Sequence, residues 1–460
     1  MIINAISPNT LVPGTLTAWN DSGNRKEKAM WSLLRPIRAL LGSVALLLLG
    51  NGLINTLLTL RGADEGFSTS LIGIIMSGYF IGFIGGTWIS GRLIKRMGHI
   101  RTFAFCAGLC ASAALLHLIF INPWVWLGLR VIYGLSFITL MTVIESWLNS
   151  QAASHQRGRV FAIYMVVNLG ALAIAQQILR LDSPDGFLLF ALASILISWA
   201  LLPITITKRS QPVIPARPKS SLKALLGFAP LAVAASAMSG LAMGAFWTLT
   251  PVYARSVGFD VAGVGVVMSC AIVGGALLQI PIGRFSDTHD RPRVMTYVVM
   301  LAAIAAAAMP FAPNQITLLG LYFIWGGLSF SIYPIAVAQL IDQLHPDEIV
   351  AGSADMLVVQ GAGSAVAPIL AGVIMHNIGD QGLPLYIAAI MVLLAGYAIY
   401  RRRRVSVLVS GDTAHFEPMT PTSSQALEMM YDDIQKDLFA DPSFYEEHER
   451  QRIVEMAGKA

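Results

Sequence analysis

Twelve long apolar stretches constrain the fold of this chain more than any other feature of its sequence. A helix needs about 20 apolar residues to cross the hydrocarbon core of a membrane. Only 12% of the 460 residues are charged, and they lie in short clusters between the stretches. Because a soluble domain has about twice that share of charge, we predict an all-α membrane protein with twelve transmembrane helices. The predicted spans are 38–60, 70–91, 102–121, 123–149, 159–180, 186–206, 225–250, 260–283, 294–312, 315–343, 350–377 and 383–400.

Lysine and arginine residues are distributed unequally between the two sides of the predicted membrane domain. Counted up to residue 404, and with twelve spans, 23 of them fall on the side that holds both termini, and three fall on the other side. Short loops that are rich in these residues stay in the cytoplasm. We therefore predict a multi-pass protein of the cell inner (plasma) membrane with both termini cytoplasmic. That arrangement requires an even number of spans, which favours twelve over the eleven or thirteen that misplaced boundaries near 119–123 and 311–315 would give.

The same pattern divides the chain into five predicted regions. Two bundles of six helices form the membrane domain, and polar segments precede, join and follow them. The regions are a flexible cytoplasmic leader at 1–37, a first bundle at 38–206, a cytoplasmic linker at 207–224, a second bundle at 225–400 and an acidic, partly helical cytoplasmic tail at 401–460.

The two predicted bundles resemble each other at a fixed offset. Each bundle has an even number of spans, so the repeat is parallel, and parallel halves with a cavity between them form one general plan for transporters. In that plan one half tilts against the other. The string GLSF also recurs at an offset of 193, at 134–137 and 327–330. Adding 192 pairs Gly66 with Gly258, Phe67 with Phe259, Gly73 with Gly265, Met76 with Met268, Ser77 with Ser269, Gly82 with Gly274, Gly91 with Gly283, Arg92 with Arg284, and Arg101 with Arg293.

Two loops at the repeat offset carry a family resemblance. They are GRLIKRMGHIR at 91–101 and GRFSDTHDRPR at 283–293. Both resemble the signature loop of the major facilitator superfamily, whose pattern is Gly, three residues, Asp-Arg, one residue, Gly and then basic residues. The resemblance extends over residues 38–400 and implies a permease made of two six-helix bundles. The matching residues are Gly91, Arg96, Gly98 and Arg101 in the first copy and Gly283, Asp287, Arg291 and Arg293 in the second.

The resemblance also implies roles for parts of these motifs. In the family, the signature loop stabilises one conformation through charge pairs with neighbouring helix ends. Lys95 replaces the Asp of the pattern, which leaves the role of the first copy open. Arg130 and Gly134 resemble the family's fourth-helix pattern of Arg, three residues and Gly. The stretch 145–168 is similar to the YcaD-like branch of permeases.

Polar residues inside predicted spans are candidates for substrate binding, because placing them in a membrane is costly. Arg130 could anchor an anionic substrate group or assist proton transfer, and the alternative is that it extends to the membrane surface. Asn51 and Asn55 share one face of the first span, and Trp247 is the repeat equivalent of Asn55. The resemblance implies that spans 1, 4, 7 and 10 line the cavity. These four residues form the predicted substrate-binding set, with hydrogen bonding between helices as the alternative for the two asparagines.

Acidic residues near the cytoplasmic ends of spans are candidates for proton coupling or gating. Glu145 suits a gate network with Arg157 or Arg159, and carrying a proton is the alternative. Asp355 in span 11 either carries a proton or pairs with the second signature loop. Asp342 lies close enough to the edge of the membrane that we predict it to be solvated.

The tail has the character of a soluble segment. An apolar stripe predicts a helix at 424–439, and Asp441 followed by Pro442 predicts the start of a second helix that ends near 457. The tail is either a regulatory or partner-docking segment, or a helical pair that rests on the basic cytoplasmic face.

The sequence lacks the motifs of two other function classes. The sequence has no GxxxxGK[ST] phosphate loop for ATP-driven transport, and neither a GxSxG nor an HExxH motif for an intramembrane enzyme. No metal or cofactor is predicted. We therefore predict a monomeric secondary transporter that moves a small molecule through the lipid bilayer by alternating access, coupled to protons and without nucleic-acid partners. The alternative is a membrane sensor that has the same fold but does not transport.

Overall fold

Within the residues that the structure describes, twelve helices are long and apolar enough to cross a membrane. The structure is a computed structural model, and it describes residues 14–151, 157–206, 222–344 and 346–404 together with Phe416, Pro418, Met419 and Ser423. We refer to the first seven helices as the first half and to the other seven as the second half. The helices are α1 (Gly14–Asp64), α2 (Thr69–Met97), α3 (His99–Ile119), α4 (Pro123–Gln151), α5 (Arg157–Ile178), α6 (Phe187–Trp199), α7 (Leu201–Ile206), α8 (Leu222–Phe228), α9 (Pro230–Ser256), α10 (Val261–Asp287), α11 (Arg291–Ala308), α12 (Gln315–Ile341), α13 (Pro346–Ile378) and α14 (Gly382–Arg404).

The twelve predicted spans are confirmed, with boundaries that differ by a few residues. The main difference is at the start of the second half, where the span predicted from 225 is divided into the short α8 and the long α9. Pro230 begins α9, because proline has no backbone N–H and is accepted in the first turn of a helix more readily than in its interior. Most of the predicted linker and both predicted tail helices lie outside the described residues.

The predicted leader at 1–37 is helical from Gly14 onward. There α1 begins, and it runs without a break into the first span. The stretch RKEKAMWSLLR at 25–35 is rich in residues with high helix propensity. Extending an existing helix avoids the cost of nucleation, so the membrane span can continue backward into this segment.

Glycines let α2 and α4 pack backbone against backbone. A Cβ atom built on Gly82 would lie 2.0 Å from the carbonyl oxygen of Val131, and one built on Gly134 would lie 2.0 Å from that of Tyr79. Any larger residue at either position would force the two helices apart. The second half has the equivalent contacts between α10 and α12, from Gly274 to Phe323 and from Gly326 to Ala271.

These contacts show that the two halves repeat at an offset of 192. The two copies of the GLSF string, which recurs at an offset of 193, are not structurally equivalent. The packing role of Gly134 is taken by Gly326, whereas Gly327 faces the side chain of Leu278. Backbone packing tolerates only glycine at these contacts, so it defines the register more strictly than a match of four letters does.

The helix ends define two sides of the bundle. The basic side holds the C-terminal ends of α2, α4, α10 and α14. It also holds the arginine clusters near 92–101, 284–293 and 401–404. The opposite side holds the C-terminal ends of α1, α3, α5, α9 and α13.

Direct contacts between the halves cluster on the opposite side. A Cβ atom built on Gly73 of α2 would lie 2.1 Å from the carbonyl oxygen of Pro368 on α13. Gly265 of α10 makes the repeat-equivalent contact with Gln176 of α5. Two hydrogen bonds and an ion pair also connect the halves on this side. They join Thr69 to Gly372, Gln177 to Ser269, and Asp64 to Arg255.

The outer surface of the helix bundle is apolar. Large side chains such as Trp88, Val166, Ile304, Phe311 and Leu393 are more than half exposed. A soluble protein rarely exposes so many large apolar groups, whereas lipid chains solvate them well. The surface therefore suits a lipid bilayer.

Candidate functional site

A cationic site lies inside the first half, where α1, α2 and α4 meet. Arg130 of α4 is buried, and its Nη2 donates a hydrogen bond of 2.6 Å to the Asn55 side-chain oxygen of α1. Its guanidinium carbon lies 4.7 Å from the ring centroid of Tyr79 and 5.6 Å from that of Tyr133. Asn51 lies beside the Tyr79 hydroxyl. We call these five residues the Arg130 site.

Close helix packing positions the guanidinium. A Cβ atom built on Gly78 would lie 3.2 Å from the Cβ of Arg130, so the absence of a side chain there lets α2 pass directly over Arg130. The neighbouring Tyr79 then faces the cation. Arg130 is thus held inside the first half rather than extended to the membrane surface.

The Arg130 site leaves hydrogen-bonding groups without partners among the described residues. Arg130 Nε and Nη1, the Asn51 oxygen and the Tyr133 hydroxyl are all buried and unpartnered there. Buried polar groups are almost always hydrogen-bonded, so each exception indicates a water, an ion or a ligand. Each of the two free donor nitrogens of Arg130 can form a charge-assisted hydrogen bond with an oxygen of a carboxylate or phosphate group.

The corresponding region of the second half is aromatic. Tyr322 stands at the repeat equivalent of Arg130, and Trp325 stands at that of Tyr133. Trp247 is half-buried and packs edge-on against Phe246 and Phe330, with ring centroids 5.0 Å and 6.0 Å away. Of the four predicted substrate residues, the structure brings Asn51, Asn55 and Arg130 together, and it places Trp247 in this separate aromatic cluster.

Glu145 lies at the basic end of α4 and is fully buried. One carboxylate oxygen accepts a hydrogen bond from Tyr164 of α5, and the other accepts one from Ser423 of the tail. The gate network of Glu145 with Arg157 or Arg159 stays a prediction. Asp355 is half-buried in the first third of α13.

The second signature loop forms a charge network. The buried Arg291 donates to Asp287 at 3.2 Å and to Asp342, the residue that follows α12, at 2.8 Å. Arg293 pairs with Asp290 at 3.0 Å near the surface. The prediction that Asp342 is solvated is wrong, because α12 ends directly beside Arg291 and the pair compensates both charges.

The first signature loop has a different chemistry. Gly98 has a φ of 78°, a conformation that other residues adopt rarely, and it lets α3 begin directly after α2. Arg96 and Arg101 are exposed. The repeat equivalent of Arg291 is His99, which is buried and hydrogen-bonds to Ser146 of α4 at 3.2 Å. A hydrogen bond to a hydroxyl thus stands where the second half has the ion pairs of Arg291.

The two signature glycines at the repeat offset also differ. Gly91 has open space around its Cβ position, whereas that of Gly283 is filled by the Phe416 ring. Sequence reasoning missed these tail contacts, since residues 416–423 are apolar or uncharged apart from Glu417 and have no helical period. It also missed Tyr79 and Tyr133, although Tyr133 lies three residues after Arg130 and therefore on the same face of the helix.

Comparison with known proteins agrees with this architecture. The model of the Major Facilitator Superfamily matches the chain twice, at residues 40–259 and 232–445. The chain belongs to the Major Facilitator Superfamily. Two matches to one model agree with the internal repeat, and membership identifies the chain as a multi-pass membrane transporter rather than an enzyme.

A relative and two solved structures support the assignment. The chain is 31% identical over 369 residues to a Salmonella newport protein named "Uncharacterized MFS-type transporter YcaD". The alignment covers 78% of this chain and 94% of the relative. This similarity confirms the YcaD-like branch. The fold is also similar to the nucleoside transporter NupG, with a TM-score of 0.64, 16% identity and coverage of 79% and 98%. A D-xylose-proton symporter gives a TM-score of 0.60, 15% identity and coverage of 80% and 97%.

Proposed function

We propose that this secondary transporter moves a small molecule with an anionic group across the inner (plasma) membrane, as a monomer and coupled to protons. The buried Arg130 guanidinium, with two donors that no described residue satisfies, carries the proposal. A cation without a compensating carboxylate is costly inside a membrane protein. A substrate carboxylate or phosphate would remove that cost when it binds.

The other residues of the site have supporting roles in this proposal. Asn55 orients the guanidinium through its hydrogen bond, and the rings of Tyr79 and Tyr133 shield the charge while the site is empty. The aromatic cluster around Trp247 provides an apolar surface on the second half. The substrate class is therefore a small acid with an apolar or aromatic part.

Proton coupling is assigned to acidic residues on the basic side. Glu145 is a buried carboxylate within the membrane domain, and buried ionisable groups in transporters commonly belong to proton pathways. Asp355 is the second candidate. The excess of lysine and arginine supports a cytoplasmic location for the basic side, and thus for both termini.

A thermal-shift screen of the purified protein tests the anionic substrate. The panel contains small carboxylic and phosphoric acids, each paired with its neutral amide or ester. A ligand at a hundred times its dissociation constant adds about 2.7 kcal/mol to the unfolding free energy. We expect acids alone to stabilise the protein, and Arg130→Ala to abolish the effect. Arg130→Lys should retain part of it, because the charge remains while the paired donors are lost.

Arg96→Ala is the matched control, since Arg96 is an exposed arginine of the same half. Equal stabilisation by acids in the Arg130→Ala variant would contradict the proposed anchor. Flux of the identified acid into proteoliposomes under an imposed pH gradient then tests transport and coupling. Binding without flux would identify a sensor instead.

A further inference from the structure

The described residues of the acidic tail contact the membrane domain on the basic side. The Phe416 backbone N–H donates to Asp287 at 2.7 Å. The Met419 carbonyl accepts a hydrogen bond of 3.0 Å from Gln279, and the Ser423 hydroxyl donates to Glu145. We call the described tail residues Phe416, Pro418, Met419 and Ser423 the tail plug.

The tail plug bridges the two halves. Glu145 belongs to α4 of the first half, whereas Gln279 and Asp287 belong to α10 of the second half. On the opposite side the halves touch each other directly. On the basic side these hydrogen bonds run from each half to the tail plug, so the tail plug lies between the halves.

The contacts bury the tail plug, and its aromatic ring packs against a signature loop of the membrane domain. Phe416, Met419 and Ser423 are 8%, 3% and 3% exposed. The Phe416 ring covers Gly283, where a Cβ atom would lie 1.9 Å from it, while no atom lies within 4 Å of the equivalent position at Gly91. Glycine in the second copy of the motif thus provides a ring-shaped recess that the first copy leaves empty.

We propose that the tail plug binds between the halves on the basic side and holds the transporter closed on the opposite side. Alternating access requires the halves to approach each other where the plug lies. A segment that binds one conformation shifts the population toward it by its difference in affinity for the two conformations. The plug must therefore leave before the basic side closes, and it competes with cargo for the same passage. This inference requires only that the halves tilt, and it does not depend on the Arg130 anchor.

A disulfide between Gly283→Cys and Phe416→Cys tests where the tail binds. A Cβ atom on Gly283 lies 2.5 Å from Phe416 Cγ, and Phe416 Cβ is one bond of about 1.5 Å further. The two Cβ atoms are thus at most about 4 Å apart, within the disulfide range. The background lacks Cys106, Cys110 and Cys270, and the matched control pairs Phe416→Cys with Gly91→Cys.

We expect mild oxidation to cross-link the Gly283 pair and not the Gly91 pair. Equal cross-linking of both pairs would mean that the tail rests loosely on the basic face. No cross-linking, with both cysteines open to a maleimide, would mean that the tail lies elsewhere. Either result overturns the proposal.

Spin labels on the opposite side test what the plug does. Ile121→Cys and Pro313→Cys are exposed, repeat-equivalent positions on the two halves. Electron resonance on such a label pair, in the same cysteine-free background, reports the distance between the halves there. We expect one short distance in the full chain. Deletion of residues 405–460 should add a longer distance and raise the ratio of open to closed protein at least about tenfold, which corresponds to about 1.4 kcal/mol.

A second variant guards against loss of the fold. Phe416→Ala combined with Ser423→Ala keeps the tail but removes the ring and the hydroxyl contact, so it should shift the distances in the same direction. A distance distribution that neither variant changes would overturn the proposal. So would a lower unfolding temperature in both variants without a longer distance, because the tail would then be only a structural support.

Discussion

Substitution of Gly73 by alanine should open the opposite side of the transporter. Gly73 of α2 lies against the backbone of α13, and an added Cβ atom would stand 2.1 Å from the Pro368 carbonyl oxygen. Real Cβ atoms essentially never approach another heavy atom closer than 3.0 Å, so α2 and α13 would have to separate by about 1 Å. The clash is with backbone, which has no rotamer that would relieve it.

The magnitude follows from the cost of overpacking. Inserting one extra carbon into a well-packed interface costs about 1–3 kcal/mol. The contact exists only while the halves are closed on the opposite side, so the open conformation does not bear this cost. The ratio of open to closed protein should therefore rise about 5-fold to 150-fold. Gly265→Ala makes the equivalent clash with Gln176 on another helix pair, and the two effects should add.

The assay is the spin-label distance between positions 121 and 313, compared with two glycine controls. Gly85 lies on the same helix with nothing within 4 Å of its Cβ position, so Gly85→Ala should leave the distances unchanged. Gly82 packs against Val131 inside the first half. Gly82→Ala should therefore lower the unfolding temperature in both conformations without favouring either.

Two results would refute this reasoning. The first is an unchanged distance distribution in Gly73→Ala protein that still folds. The second is an equal shift in the Gly85→Ala control, because the effect would then come from helix propensity rather than from contact between the halves.

Two further predictions concern the charges at the helix ends. Arg291→Ala should lower the unfolding free energy by about 3 kcal/mol, because it leaves two carboxylates without their shared cation. His99→Ala at the equivalent position removes a hydrogen bond to the Ser146 hydroxyl and should cost less, about 1 kcal/mol for that bond, and equal losses in thermal unfolding would contradict the asymmetry. Arg255→Ala removes a partly exposed ion pair with Asp64 and should favour the open opposite side by less than about 1 kcal/mol. High salt should abolish that shift in the spin-label distance, and an effect that persists in high salt would count against an ionic cause.

The sequence alone was sufficient for the spans and their arrangement in two halves. Each span is encoded locally, because a membrane helix must satisfy its backbone internally and present apolar side chains over a fixed length. The repeat was visible for a related reason. Glycines such as Gly82 and Gly274 keep their positions in both halves, since backbone contacts admit no other residue.

The composition of the Arg130 site was only partly predictable. Arg130, Asn51 and Asn55 stood out because polar residues are rare in membrane spans. That Asn55 meets Arg130, and that two tyrosine rings cover the cation, depends on how closely α1, α2 and α4 pack. Trp247 has the repeat position of Asn55 but no polar partner of this kind, because the second half replaces the charged residue with Tyr322.

Local sequence thus determined which segments span the membrane and which residues are costly to bury there. Tertiary structure alone decided the partners of Glu145, Asp342 and Gly283, because those partners lie on other helices or far along the chain. The contact between Ser423 and Glu145 joins residues 278 positions apart. Such a contact leaves no periodic pattern in either segment, since it depends on the space between the two halves rather than on the composition of either one.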